Sequence, residues 1–221
     1  RDRTTLLERS REGGVDAAQL INNLDLSLEA VEEILTTLLE ISRLDAGNMK
    51  AEPSVFPLGD MLGQLRVEFE PLAKEKNLQL FFAPCSRNVR SDKRMLRRLL
   101  QNLISNAIKY TPKGRVLVGV RHRGESLVVE VWDTGLGIPQ DKQKIVFREF
   151  ERLAPAAKTA RGLGLGLSIV ERLSRVLRHR VNLSSEPGRG TVFRVEVPRA
   201  AAVAVDSGFE DAHVSAAQHQ P

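Results

Sequence analysis

"SLVVEVWDTGLGIP" occupies residues 126–139. Its first half alternates apolar side chains as a half-buried strand does. Its second half packs one acid, two glycines and a proline into a single turn. An ordinary turn ends a strand with one glycine. A carboxylate at the entrance and a second glycine also suit a backbone that approaches a ligand closely, with an acid that reads it. This stretch alone leaves both readings open, and its neighbours on either side decide between them.

Upstream, Asp92 can cap a helix running to about Tyr110, with Met95, Leu96, Leu99, Leu103 and Ala107 facing inward. That leaves Asn102, Asn106 and Lys109 on one stripe, in steps of four and three. Two asparagines a turn apart are unfavourable inside a helix. Their amide oxygens are hard ligands suited to Mg²⁺, and Lys109 could meet phosphate; the plain alternative is a polar solvent face. Downstream, "RGLGLGLSIV" (161–170) runs Gly162, Gly164 and Gly166 straight into an apolar helix expected over 165–178. Such a start aims free backbone N–H groups and the positive helix end at an anion. No Gly-Lys-Ser/Thr follows, so it is no Walker loop. No strand immediately precedes it, as a dinucleotide fingerprint would need.

Further out, the patterns predict strands at 54–58, 78–83, 88–91, 114–122, 126–133, 180–185 and 190–197, and a helix over 58–76 with Leu58, Met61, Leu62, Leu65, Phe69 and Leu72 inward. Strands with intervening helices, closing in an antiparallel meander, give an α+β fold: one mixed sheet with helices on one face. Residues 152–165, rich in Ala, Gly and charge, suit a mobile loop. Before this domain, Ala17, Ile21, Leu24, Leu28, Val31, Leu35, Leu38 and Ser42 alternate steps of four and three, a coiled-coil seam. Leu20, Ile34 and Ile41 widen it toward a bundle, and Gly47 is placed to end the helix. "REGG" (11–14) breaks the pattern, so residues 1–48 read as a helical hairpin with a short first arm. Residues 52–199 then form the main domain, and 200–221, without periodicity, a disordered tail or linker.

The 221 residues suit one domain with a smaller appendage. No run of about 18 apolar residues predicts a membrane span, and no secretory leader is visible. Cys85 is the sole cysteine, which excludes an internal disulfide and cysteine-based zinc clusters and fits a reducing, cytosolic setting. The formal charge of +5 is scattered apart from "KRMLRR" (93–98), and aromatics are 5%. That argues against nucleic acid and for an anionic ligand such as a nucleotide, or an acidic protein partner.

Taken in order, the Asn-x-x-x-Asn helix, the Asp-x-Gly-x-Gly turn and the Gly-x-Gly-x-Gly helix start resemble the ATP-binding catalytic core of sensor histidine kinases. "NLISNAIKYTPKG" is similar to that family's N box, "DTGLGIP" and "RGLGLGLSIV" to its two glycine boxes, and "FREFERL" to its F box. "ISRLDAG" resembles its junction between dimerisation hairpin and catalytic domain, and "SSEPGRGTVFRVEVP" its closing strands. The resemblance implies a two-layer, Bergerat-type ATP-binding fold preceded by a helical hairpin, with ATP and Mg²⁺ as cofactors. It implies that Asp133 accepts a hydrogen bond from the adenine amino group, with Gly135, Gly137 and Ile138 beside the base and Thr191 supporting it through water. Asn106 would coordinate Mg²⁺ with Asn102 assisting, and Lys109 and Tyr110 would lie over phosphates and sugar. Arg152 would approach the γ-phosphate, and Gly162, Leu163, Gly164, Leu165, Gly166 and Leu167 would form the anion site. Leu163 departs from the Thr often found there, which removes a side-chain contact and leaves the backbone site intact.

Related ATPases such as gyrase carry, by the same resemblance, a general-base Glu one turn before the metal-binding Asn. Here that position is Asn102, which cannot take a proton at neutral pH. Transfer of the γ-phosphate to a His on a dimerisation helix, and thence to a response regulator Asp, is therefore the expected chemistry. The implied partners are a second copy through the hairpin and a receiver domain, with no nucleic acid or membrane contact, in the cytoplasm, whether or not a longer parent chain carries a membrane anchor. None of His122, His179, His213 and His219 stands in the family's acceptor motif, so the acceptor is expected outside this chain, which opens on Arg and reads as a fragment. The alternative is an ATP-binding, dimerising regulatory module that has lost phosphotransfer.

Overall fold

A computed structural model describes residues 21, 24, 28, 31, 32, 34–47, 49–149, 151 and 164–200. The expected first hairpin arm, most of the 152–165 loop and the tail from 201 onward lie outside the described residues.

Residues 34–45 form a continuous helix, α1, and the five described residues before it are helical too. Gly47 follows with φ of +67°, and its N–H bonds the Leu44 carbonyl at 3.2 Å, the left-handed stop that its position predicted. Ile41 and Leu44 are buried in the core of the main domain, together with Thr37. Ile41 was expected to widen the seam toward a bundle. It faces the domain instead, because 37, 41 and 44 fall on the side away from the seam residues. Those residues (Ile21, Leu24, Leu28, Val31, Leu35 and Leu38) stand exposed.

The main domain runs β1 (Ser54–Pro57), α2 (Leu58–Glu75), β2 (Gln79–Phe82), β3 (Asn88–Ser91), α3 (Lys93–Tyr110), β4 (Arg115–Arg123), β5 (Ser126–Asp133), α4 (Gly166–Leu177), β6 (Val181–Glu186) and β7 (Gly190–Pro198). Five strands form a mixed sheet in the order β2-β4-β5-β7-β6, with β2 and β4 parallel and every other pair antiparallel. Helices α2, α3 and α4 cover one face, and Leu96, Leu99, Leu103, Val116, Val129, Ile169 and Val195 close the core between the layers. On the strands of the other face Phe81 and Leu117 stay exposed. This is the expected α+β two-layer arrangement, with one correction: β1 and β3 leave the main sheet and pair with each other. Each runs almost directly into a helix, β1 into α2 and β3 through Asp92 into α3, so their positions follow the helical layer.

The local signals for α3 are realised atom by atom. Asp92 Oδ1 accepts from the N–H groups of Arg94 and Met95 at 2.9 and 3.0 Å, and its Oδ2 accepts from Glu52 N–H at 3.0 Å. Burial pushes this carboxyl up, but those three N–H groups outweigh it and hold the pKa below the ordinary value. In α2 the inward stripe ends on Ala73, while Leu72 stays 48% exposed. The 3.6-residue period from Phe69 falls between the two positions, and the smaller side chain takes the inner one.

Candidate functional site

The end of β5, the turn after it, the polar stripe of α3 and the start of α4 converge on one cavity of about 290 Å³. Its wall includes Asn102, Asn106, Lys109, Tyr110, Asp133, Gly137, Ile138, Gly164, Leu165, Gly166, Leu167 and Thr191. Asn102 and Thr191, 89 positions apart in sequence, thus share one space. Gly135 lies behind the wall, and Arg152, Gly162 and Leu163 lie outside the described residues.

Asp133 ends β5, opposite Thr191 of β7. Its Oδ1 accepts from Gly135 N–H at 2.8 Å. Burial pushes the carboxyl up to about 6, against the backbone N–H groups of Gly135 and Thr191, which favour the anion. A carboxylate this poorly solvated gains from any donor that a ligand brings. The two glycines of the turn have a different immediate cause from the one expected. A Cβ on Gly135 would lie 2.3 Å from the Tyr110 carbonyl oxygen, and one on Gly137, at φ of +69°, would lie 2.0 Å from that of Glu186. The close approach is to the protein's own backbone, and it holds the turn between the end of α3 and β6.

Ser185 was missed by sequence reasoning. Its Oγ accepts from Ile138 N–H at 2.7 Å, donates to the Gly190 carbonyl at 2.9 Å and lies 2.9 Å from Thr191 Oγ1. With its single proton committed to Gly190, the Thr191 hydroxyl donates to it and keeps its lone pairs for the cavity. Gln143 Nε2 donates to the carbonyls of Ile138 and Ser185 at 3.1 and 2.9 Å and locks the same corner. Ser185 is 47 residues from Ile138, and no local pattern marks it.

Across the cavity, Asn102 Nδ2 donates to the Arg98 carbonyl at 2.9 Å. That turns its Oδ1 toward α4, where a Cβ on Gly166 would lie 3.1 Å away and would meet the Asn106 amide at 3.4 Å. The first turn of α4 has no side-chain cap, so its N–H groups and the positive end of the helix face the asparagine pair. Lys109 Nζ lies 5.6 Å from the centre of the Tyr110 ring at the same wall. Among the described residues no cluster of three His, Cys, Asp or Glu side chains could hold a metal. A divalent ion here would rest on amide and ligand oxygens, a donor set that fits Mg²⁺ with retained water.

The family model for histidine kinase-, DNA gyrase B- and HSP90-like ATPases matches residues 91–201. The chain belongs to this family. Within it, the relatives are of the sensor-kinase kind. The sensor histidine kinase RcsC of Escherichia coli K12 is 31% identical over 191 residues, covering 84% of this chain and 20% of its own length. The solved structure of full-length ShkA in complex with AMPPNP superposes with a TM-score of 0.67 at 27% identity, covering 91% of this chain and 40% of that one. The structure of histidine kinase ThkA in complex with response regulator protein TrrA shares the fold, with a TM-score of 0.65 at 22% identity over 82% of this chain and 51% of that one. The chain spans about a fifth of the length of the curated relatives it matches first. It carries the ATP-binding catalytic core of a histidine kinase. No helix among the described residues is long and apolar enough to cross a membrane.

Proposed function

We propose that this core binds Mg²⁺–ATP and delivers the γ-phosphate to a histidine of a dimerisation hairpin, from which a receiver-domain aspartate takes it. The observation that carries the reading is Asn102. It stands on the cavity wall one turn before Asn106, where by resemblance the related ATPases carry their general-base Glu, and an amide cannot accept a proton there. Water is left unactivated, and the phosphoryl group is kept for a protein nucleophile. Adenine would lie against Asp133 with its amino group donating to the buried carboxylate, and Thr191 would support it through water. The phosphates would meet the segment from Gly164 to Leu167 that leads into α4, with Lys109 and Tyr110 beside them. Asn106, with Asn102, would hold the metal, which neutralises phosphate charge during transfer.

Arg152, Gly162 and Leu163 are proposed to complete the phosphate side, on family resemblance. A cytoplasmic setting fits the lone Cys85. The exposed row from Ile21 to Leu38 fits pairing with a second copy of the chain, since its heptad spacing is a coiled-coil seam. His179 is buried and bonded to Ser91 Oγ at 2.8 Å, and His122 lies in β4 opposite Leu127 of β5, so neither described histidine stands on the hairpin helix.

Incubation with γ-labelled ATP, a histidine-bearing dimerisation hairpin and a receiver domain tests the chemistry. Acid-labile, base-stable label on the hairpin, chased to the receiver, is the expected result. Nucleotide binding without label on any partner would instead identify a regulatory module that has lost phosphotransfer.

A further inference from the structure

The cavity is not walled by the ATP-binding domain alone. Thr37 of α1 forms part of it. Three residues on, Glu40 reaches across to α3, where its Oε2 accepts from Nε and Nη2 of Arg98 at 3.1 and 3.0 Å. Arg98 lines the same cavity one helical turn before Asn102. Arg98, Asn102, Asn106 and Lys109 therefore continue one stripe along α3 in steps of four, four and three. Glu68, another acidic residue of the cavity lining, is engaged by Arg97 and by Gln101 Nε2 at 2.7 Å. The end of α1 is fastened separately, by Asp45 to Arg172 of α4 at 2.7 and 3.0 Å.

We infer that Arg98 is a further phosphate-binding cation of this site, and that Glu40 of α1 competes with the nucleotide's phosphates for it. The inference rests on the nucleotide reading above. Glu40 occupies the Nε–Nη2 edge of the guanidinium, an edge suited to forked recognition of a phosphate, and cancels its charge beside the cavity. Side-chain exposures of 40% and 20% leave this ion pair partly in water, where such a pair is worth about fivefold at most. A charge-assisted contact to phosphate is worth about tenfold or more, so a bound nucleotide can displace the carboxylate. Movement of α1 that withdraws Glu40 then raises affinity for the phosphates and leaves adenine recognition at Asp133 untouched. Arg98 would bind phosphate in the state with α1 withdrawn and be neutralised in the state with α1 docked.

Calorimetry with Mg²⁺–ATP and with adenosine on the 221-residue chain, on Glu40→Gln, on Arg98→Gln and on the double variant tests this. Glu40→Gln should tighten Mg²⁺–ATP by about three- to fivefold when Arg98 is present. With Arg98→Gln alongside, the gain should fall to less than about twofold, and adenosine affinity should stay the same in all four proteins. An equal gain with and without Arg98 would reduce Glu40 to a general electrostatic effect and overturn the proposal, as would no gain at all. If the unaltered chain binds adenosine but ATP no more tightly, the phosphate side of the site fails and this inference with it. If it binds neither, the nucleotide reading itself is what fails.

Discussion

Replacing Asp133 by Asn should make the empty protein more stable and a poorer nucleotide binder at the same time. Its carboxyl sits at about 6, against an ordinary value of 3.8, because burial disfavours the anion. Keeping it ionised at neutral pH costs the folded state about 3 kcal/mol. The sign follows from proton binding. Between pH 4 and 6 the folded state holds a proton that the unfolded state has lost, so Asp133 lowers stability progressively as pH rises through that window. Asn is of similar size, stays neutral and still offers an oxygen to Gly135 N–H. In urea denaturation Asp133→Asn should therefore gain about 2–3 kcal/mol at pH 7.5, and the gain should shrink toward zero by about pH 4. Mg²⁺–ATP affinity should fall by about tenfold or more, since a hydrogen bond to a charged acceptor is worth about 1.5–3 kcal/mol. A stability difference that does not change with pH would refute the burial argument. Unchanged ATP affinity in calorimetry would refute the adenine contact.

Asn106→Ala should abolish the advantage of Mg²⁺–ATP over ATP alone; a metal titration in which that advantage persists would remove Asn106 as ligand. Gly137→Ala should cost about 2–5 kcal/mol, because it combines a positive φ with a Cβ 2.0 Å from the Glu186 carbonyl oxygen; an unfolding free energy in urea lowered by less than about 1 kcal/mol would mean that the turn relaxes. Leu35, 57% exposed on the seam, should disrupt pairing when changed to Glu, and sedimentation should report a monomer; an unaltered dimer would place the interface elsewhere.

Much of the fold was legible because it is written in short periods. The mostly apolar run of 127–131 gives β5, which is buried on both faces rather than one, the Asp92 cap and the apolar stripe after it give α3, and Gly47 gives the end of α1. The cavity-lining asparagines were legible for a related reason: Asn102 and Asn106 are costly inside a helix, and a local cost with no local return points to a role beyond the helix. That signal singled out Asp133 and the asparagine pair, which line the cavity, and at Gly135 and Gly137 the structure adds a close approach to the protein's own backbone. The sequence by itself determined the elements, their caps and the residue types of the site. Only the tertiary structure decided that β1 pairs with β3, that Ser185 holds Ile138, and that Glu40 and Asp45 fasten α1 through Arg98 and Arg172. Those contacts join residues 47, 58 and 127 positions apart. Hydrophobic periodicity repeats within one turn or one pleat and fixes which face turns inward. Which polar groups then meet across layers depends on how those faces pack, and no local period carries that.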